Sequence, residues 1–265
     1  MLGAIAGDII GSVHEFDAVK TEDFPLFVKR SRFTDDSVLT IATAEKLLEG
    51  GDYAASYRKW ANKYPAAGYG GMFREWFVDY SAGPYNSFGN GSAMRIAPVG
   101  FAFDTLEEVL KEARKSAETT HNHPEGVKGA QATAAAVFLA RKGRSKKEIA
   151  EYITREFSYK LTESVAEIRS YYEFNESCQG TVPQAIISFL ESNDYEDAIR
   201  KAISLGGDAD TLACITGGIA QAFYGGVPEK IVGQARAILC PDMLAIVDAF
   251  MNKFKSGPGE RSTNV

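Results

Sequence analysis

Apolar residues recur along this chain at spacings of three and four, and alternation with a period of two is almost absent, so the pattern predicts helices nearly throughout. The first fourteen residues set Gly3, Gly7 and Gly11 four apart, a helix face without side chains where a second backbone can approach. Val38, Ile41, Ala42, Ala44 and Leu48 carry the next helix, broken only by Glu45 and ended by Gly50-Gly51. Further helical periods run over 52–64, 105–120, 126–141, 145–157, 161–172, 184–190 (with Pro183 in its first turn), 195–205, 212–224, 229–239 and 243–255. Residues 16–32 read as a polar loop of the flap kind. Residues 65–91 read as a long connection with little regular structure, a length that in compact domains often serves function. Residues 174–183 form a break, and the polar tail 256–265 is expected to be disordered, leaving one domain over 1–255. The class is all-α.

Composition narrows the function without naming it. With 265 residues, 45% hydrophobic and 24% charged, the chain has the make-up of an ordinary globular protein with ample core. A net charge of −6 argues against a general nucleic-acid binder or a binder of anionic membranes. No apolar run reaches the roughly 18 residues that span a bilayer, and residues 1–8 lack a basic start and meet Asp8 early, unlike a secretory signal. Cys178, Cys214 and Cys240 are odd in number and far apart, as in a reducing compartment, so a cytoplasmic protein is expected.

The chemistry concentrates at two helix starts. Thr34-Asp35-Asp36-Ser37 precedes the helix of Val38, and Gly206-Gly207-Asp208-Ala209-Asp210-Thr211 precedes an apolar helix small on nearly every side. Asp and Thr are common helix caps, but a cap uses one side-chain oxygen and each cluster supplies three or more. Converging carboxylates repel unless neutralised, and oxygen donors without cysteine suit Mg²⁺, Mn²⁺ or Ca²⁺. Two divalent ions would balance four carboxylates and lower the pKa of a bound water. Between the clusters, Gly89-Asn90-Gly91-Ser92 pairs glycines around an asparagine, which favours positive φ and an anion-binding nest of backbone N–H groups. His121 and His123, two apart beside Pro124, cannot share a helical face; His123 reads as a structural or surface residue.

Taken together, Gly7-Asp8, Gly11, Glu15, Thr34-Asp35-Asp36-Ser37, Gly89-Asn90-Gly91-Ser92-Ala93-Met94-Arg95, Thr120-His121 and Gly207-Asp208-Ala209-Asp210-Thr211 stand in the order seen in the ADP-ribosylglycohydrolase family, which the chain resembles from about residue 3 to about 225. The resemblance is of the dinitrogenase-reductase-activating glycohydrolase type. It implies a single compact all-α orthogonal bundle with a dimetal cleft that releases ADP-ribose from modified side chains. Carried over, it makes Thr34, Asp35, Asp36, Asp208, Asp210 and Thr211 ligands of two Mg²⁺ or Mn²⁺ ions. It gives Glu15 a place beside the metals and water activation to Asp35 or Asp36. Gly89, Asn90, Gly91, Ser92, His121 and Gly207 would line the ADP-ribose cleft, and Tyr172 or Phe174 would stack on adenine. The expected partner is an ADP-ribosylated protein, of arginine or serine type, or a small derivative such as O-acetyl-ADP-ribose. A non-catalytic ADP-ribose-binding protein is the alternative.

Overall fold

The computed structural model describes residues 1–254, which form fifteen helices: α1 Leu2–Gly11, α2 Asp35–Glu49, α3 Tyr53–Lys63, α4 Gly71–Val78, α5 Gly91–Met94, α6 Ala97–Ala102, α7 Leu106–Glu118, α8 Pro124–Arg141, α9 Lys146–Phe157, α10 Val165–Tyr171, α11 Cys178–Glu191, α12 Tyr195–Ser204, α13 Ala209–Tyr224, α14 Glu229–Ile238 and α15 Pro241–Lys253. The only β pairing among the described residues is an isolated antiparallel bridge between Gly89 and Ser177. No helix among them is long and apolar enough to cross a membrane. The tail at 256–265 lies outside the described residues.

The glycine row of α1 does what its spacing predicts. A Cβ on Gly3 would stand 2.4 Å from the Gly217 carbonyl oxygen, one on Gly7 2.1 Å from that of Ala213, and one on Gly11 2.5 Å from the Cα of Asp210. As numbers rise along α1 the partners fall along α13, so the two helices run antiparallel with their backbones in contact. Every residue of α13 from Ala209 to Gln221 is buried, so this pair forms the centre of the molecule. The packing also has a positional consequence: the C-terminal end of α1, and the loop carrying Glu15, arrive beside the N-terminal end of α13 with its two aspartates.

Three expectations require correction. The 65–91 connection contains a helix, α4, because Phe73, Trp76 and Phe77 bury one face of it against Tyr69 and neighbouring aromatics. Its N-cap is Gly70, with no side-chain bond, so the usual start signal is missing. Helix α11 starts at Cys178, with the Ser177 hydroxyl accepting from the Gly180 N–H, and carries Pro183 inside it at the loss of one backbone hydrogen bond. Gly89-Asn90-Gly91 does not use positive φ: Asn90 is right-handed helical at φ −70° and opens α5.

The loop between α1 and α2 is irregular as expected, but its middle is clamped. The Lys20 ammonium donates to the carbonyls of Tyr172 and Leu205, each at 2.5 Å. Arg200 donates to the carbonyls of Glu22 at 2.9 Å and Phe24 at 2.8 Å, and Arg169 and Lys201 pair with the Glu22 carboxylate.

Candidate active site

The acidic clusters meet through a residue whose role the pattern did not reveal. Asp8, part of the family pattern but given no role by it, is fully buried in the middle of a Gly/Ala/Ile helix. In the fold its carboxylate accepts from the Thr34 N–H at 3.0 Å, the Thr34 hydroxyl at 2.6 Å and the Ser37 N–H at 3.1 Å, and also from the Ser37 hydroxyl. Asp8 thereby ties the start of α2 to α1, while Thr34 caps α2 by accepting from the Asp36 N–H at 3.3 Å. From the other side the Thr211 hydroxyl reaches Asp36 Oδ1 at 3.4 Å. Both clusters of the sequence are therefore parts of one centre.

The centre opens into a cleft of about 410 Å³ lined by Glu15, Asp35, Asp36, Asp208, Asp210 and Thr211 together with Asn90, Arg95 and His121, a size in the range of small-molecule sites. Carboxylate oxygens of Glu15, Asp208 and Asp210 lie within 4.8 Å of one another. Burial, reinforced by the Asp210 carboxylate, pushes Asp35 and Asp36 well above the usual carboxylate range; burial and Asp208 do the same to Asp210. Burial pushes Asp208 up to about 6 although Asn90 donates to its Oδ2 at 2.6 Å, and burial with the Asp210 charge pushes Glu15 up to about 7. Asp36 Oδ2 is buried without a hydrogen-bond partner. A buried, partnerless carboxylate oxygen among mutually repelling oxygen donors is what a hard divalent cation would satisfy. The donors present fit such a group.

These residues place the chain within a known group. Its sequence matches the ADP-ribosylglycohydrolase family over residues 1–259. The chain belongs to that family. It is 28% identical to ADP-ribosylhydrolase ARH3 of Homo sapiens, with 87% of this chain and 86% of that one covered, and 27% identical to ADP-ribosylarginine hydrolase Tri1 of Pseudomonas putida, with 88% and 72% covered. A solved ADP-ribosylglycohydrolase-related protein complex superposes with a TM-score of 0.69 at 25% identity, covering 95% of this chain and 96% of that one. The fold is accordingly the all-α one of this family, and the activity class is hydrolysis of a glycosidic bond.

The remaining expected residues divide. Gly89, Asn90, Gly91 and His121 line the cleft, with His121 Nε2 facing the two glycines: a Cβ on Gly91 would stand 3.1 Å from it and one on Gly89 3.5 Å. These glycines give room for close approach, and the expected nest is only partial. The Gly89 N–H donates to Ser87 Oγ at 3.1 Å and the Asn90 N–H to the Glu176 carbonyl at 2.7 Å. Ser92 is buried with its hydroxyl donating to the Gly126 carbonyl at 2.7 Å, behind the cleft surface. Gly207 adopts φ +74° and packs on the Tyr172 ring, which a Cβ would meet at 2.8 Å. Tyr172 is itself buried and donates to the Gly180 carbonyl at 2.8 Å, so its ring supports the Gly206-Gly207 turn and is not a cleft-lining aromatic. Phe174 does line the cleft, stacked at 6.0 Å on Phe16, a strongly exposed ring beside Glu15. His123 caps α8, accepting from the Glu125 N–H at 3.1 Å, as a structural residue would. Sequence reasoning missed the tie made by Asp8 and, among the cleft-lining residues, Phe16, Tyr85 and Arg95 with several others; for Arg95 the signal was an arginine inside an otherwise apolar stretch.

Proposed function

We propose that this chain is a divalent-metal-dependent hydrolase that cleaves the glycosidic bond between ADP-ribose and a modified arginine or serine side chain, releasing ADP-ribose. The observation that carries the reading is the gathering of Glu15, Asp35, Asp36, Asp208 and Asp210 in one cleft, with a carboxylate oxygen of Asp36 left without a partner. Thr34, Asp35, Asp36, Asp208, Asp210 and Thr211 are the proposed holders of two Mg²⁺ or Mn²⁺ ions. Bound there, the ions would neutralise the carboxylates, engage sugar hydroxyls and make a bound water more acidic.

The protein's own groups do the rest. Positive charge develops on the ribose ring as the bond to its anomeric carbon breaks, and the acidic wall stabilises that charge. Asp35 or Asp36 takes the proton of the attacking water, and Glu15, on the loop facing the cluster, is the further proton-transfer group. Asn90 fixes the orientation of Asp208 by its 2.6 Å hydrogen bond. Gly89, Gly91 and His121 receive the pyrophosphate, and Phe174 stacks on the adenine. The catalytic unit is residues 1–255. The three cysteines are free, which favours a reducing compartment, the cytoplasm.

The test is release of ADP-ribose from arginine-linked, serine-linked and O-acetyl substrates, with Mg²⁺, with Mn²⁺ and with chelator. Release from a protein-linked substrate with either metal supports the proposal. Turnover of the O-acetyl substrate alone would reassign the enzyme to a free ADP-ribose derivative. ADP-ribose binding without any turnover would mark a non-catalytic binding protein.

A further inference from the structure

Arg95 is the largest fully buried side chain, and it lines the cleft. Its Nη2 donates to the Ser116 carbonyl at 3.0 Å and to Thr120 Oγ1 at 2.9 Å, and its guanidinium lies 4.3 Å over the Tyr57 ring. Those oxygens are neutral, and Nε and Nη1 have no partner. A buried cation held by neutral groups is costly, so something must be gained from keeping it there.

The gain follows from counting protons along the contact. Thr120 Oγ1 accepts from Arg95 and lies 2.7 Å from His121 Nδ1. A hydroxyl has one proton, and the buried acceptor at close range is Nδ1, with the Tyr85 hydroxyl a second neighbour. If His121 carried its proton on Nδ1, the Thr120 oxygen would face two donors and its own buried O–H would have only the Tyr85 hydroxyl to turn to. The favourable assignment is O–H to Nδ1, which leaves the imidazole proton on Nε2, the nitrogen beside Gly89 and Gly91 at the cleft surface. Burial and the nearby guanidinium also push His121 well below the usual histidine range, so the ring is neutral.

We propose that Arg95, acting through Thr120, is a positioning residue that fixes His121 as a neutral hydrogen-bond donor into the cleft. The ligand atom met there is then an acceptor, a phosphate or sugar oxygen, and an ammonium or amide N–H is rejected at that point. That identification of the ligand atom rests on the ADP-ribose reading above; the state of the ring does not.

The ring is read by long-range ¹H–¹⁵N NMR on protein labelled at its three histidines, in the absence of ligand. His121 in the wild type is expected to show a pyridine-like Nδ1 and a protonated Nε2. Thr120→Ser keeps the hydroxyl and should keep that signature. Thr120→Val removes it and should give mixed tautomers, with ADP-ribose binding about tenfold weaker, the size of one hydrogen bond. Arg95→Met, checked for native circular dichroism, should also mix the tautomers; the Thr120 pair decides the matter if that variant does not fold. A wild-type imidazolium, a wild-type proton on Nδ1, or a Thr120→Val protein with unchanged ring signals and affinity would overturn the proposal. Failure of the wild type to bind ADP-ribose would instead count against the function, with the ring signals still deciding the tautomer.

Discussion

Replacing Asp208 by asparagine should make the metal-free protein more stable while disabling it. Asp208 is buried, and its carboxyl is pushed from 3.8 to about 6 by burial and by the neighbouring Glu15 and Asp35 charges. At about 1.36 kcal/mol for each tenfold change in proton affinity, the ionised group costs the native state roughly 3 kcal/mol. A carboxyl whose folded pKa is raised contributes its full stability below the unfolded value and loses it as pH rises through the folded one. The gain from Asp208→Asn should therefore be near zero at pH 4, develop through about pH 6, and approach about 3 kcal/mol at pH 8. An asparagine can still accept from Asn90, so the hydrogen bond at that oxygen is retained. The assay is urea unfolding in chelator at several pH values; in thermal scans the same gain would appear as about 6–12 °C for a domain of this size. A variant no more stable than wild type at pH 8, or equally stabilised at every pH, would refute the idea that the centre is a set of carboxylates held against their own repulsion.

Mg²⁺ binding should weaken as pH falls below about 7, because Glu15 at about 7 and Asp208 at about 6 must lose protons to face a cation; calorimetry at pH 6 and pH 8 should differ by about tenfold or more in affinity, and equal affinities would speak against it. Asn90→Ala should cost about 10- to 100-fold in Mg²⁺ affinity or turnover by freeing Asp208, and a wild-type value would remove Asn90 from the account. Gly7→Ala places a Cβ 2.1 Å from a backbone oxygen, so a loss of about 3 kcal/mol or more in urea unfolding is expected, and a near-neutral change would contradict the close α1–α13 packing.

What the sequence made legible, and what it did not, follows from the range of the forces involved. The glycine row and the Thr34–Ser37 and Gly206–Thr211 clusters are local patterns, and the fold brings them together as the patterns imply. Asp8 stood in the family pattern without a role, because its partners, Thr34 and Ser37, are more than twenty residues away and nothing in α1 announces them. Helix α4 was hidden by a glycine cap and by an apolar face defined only once Tyr69 and its neighbours pack on it. The Gly89–Gly91 turn was misread because both glycines are there for the approach of His121, whereas positive φ was the property that their spacing suggested. Tyr172 and Phe174, two residues apart and not separable by local sequence, take different places: one supports a turn from within, and the other lines the cleft.

The central claim is that the gathered aspartates hold metal and that the metal drives hydrolysis. The most direct test is the rate of ADP-ribose release by wild type, Asp36→Ala and Asp210→Ala, each with Mg²⁺ and with chelator. Loss of at least about 100-fold in both variants, matched by wild type in chelator, is the expected result. Full activity of Asp210→Ala, or undiminished wild-type turnover in chelator, would contradict it.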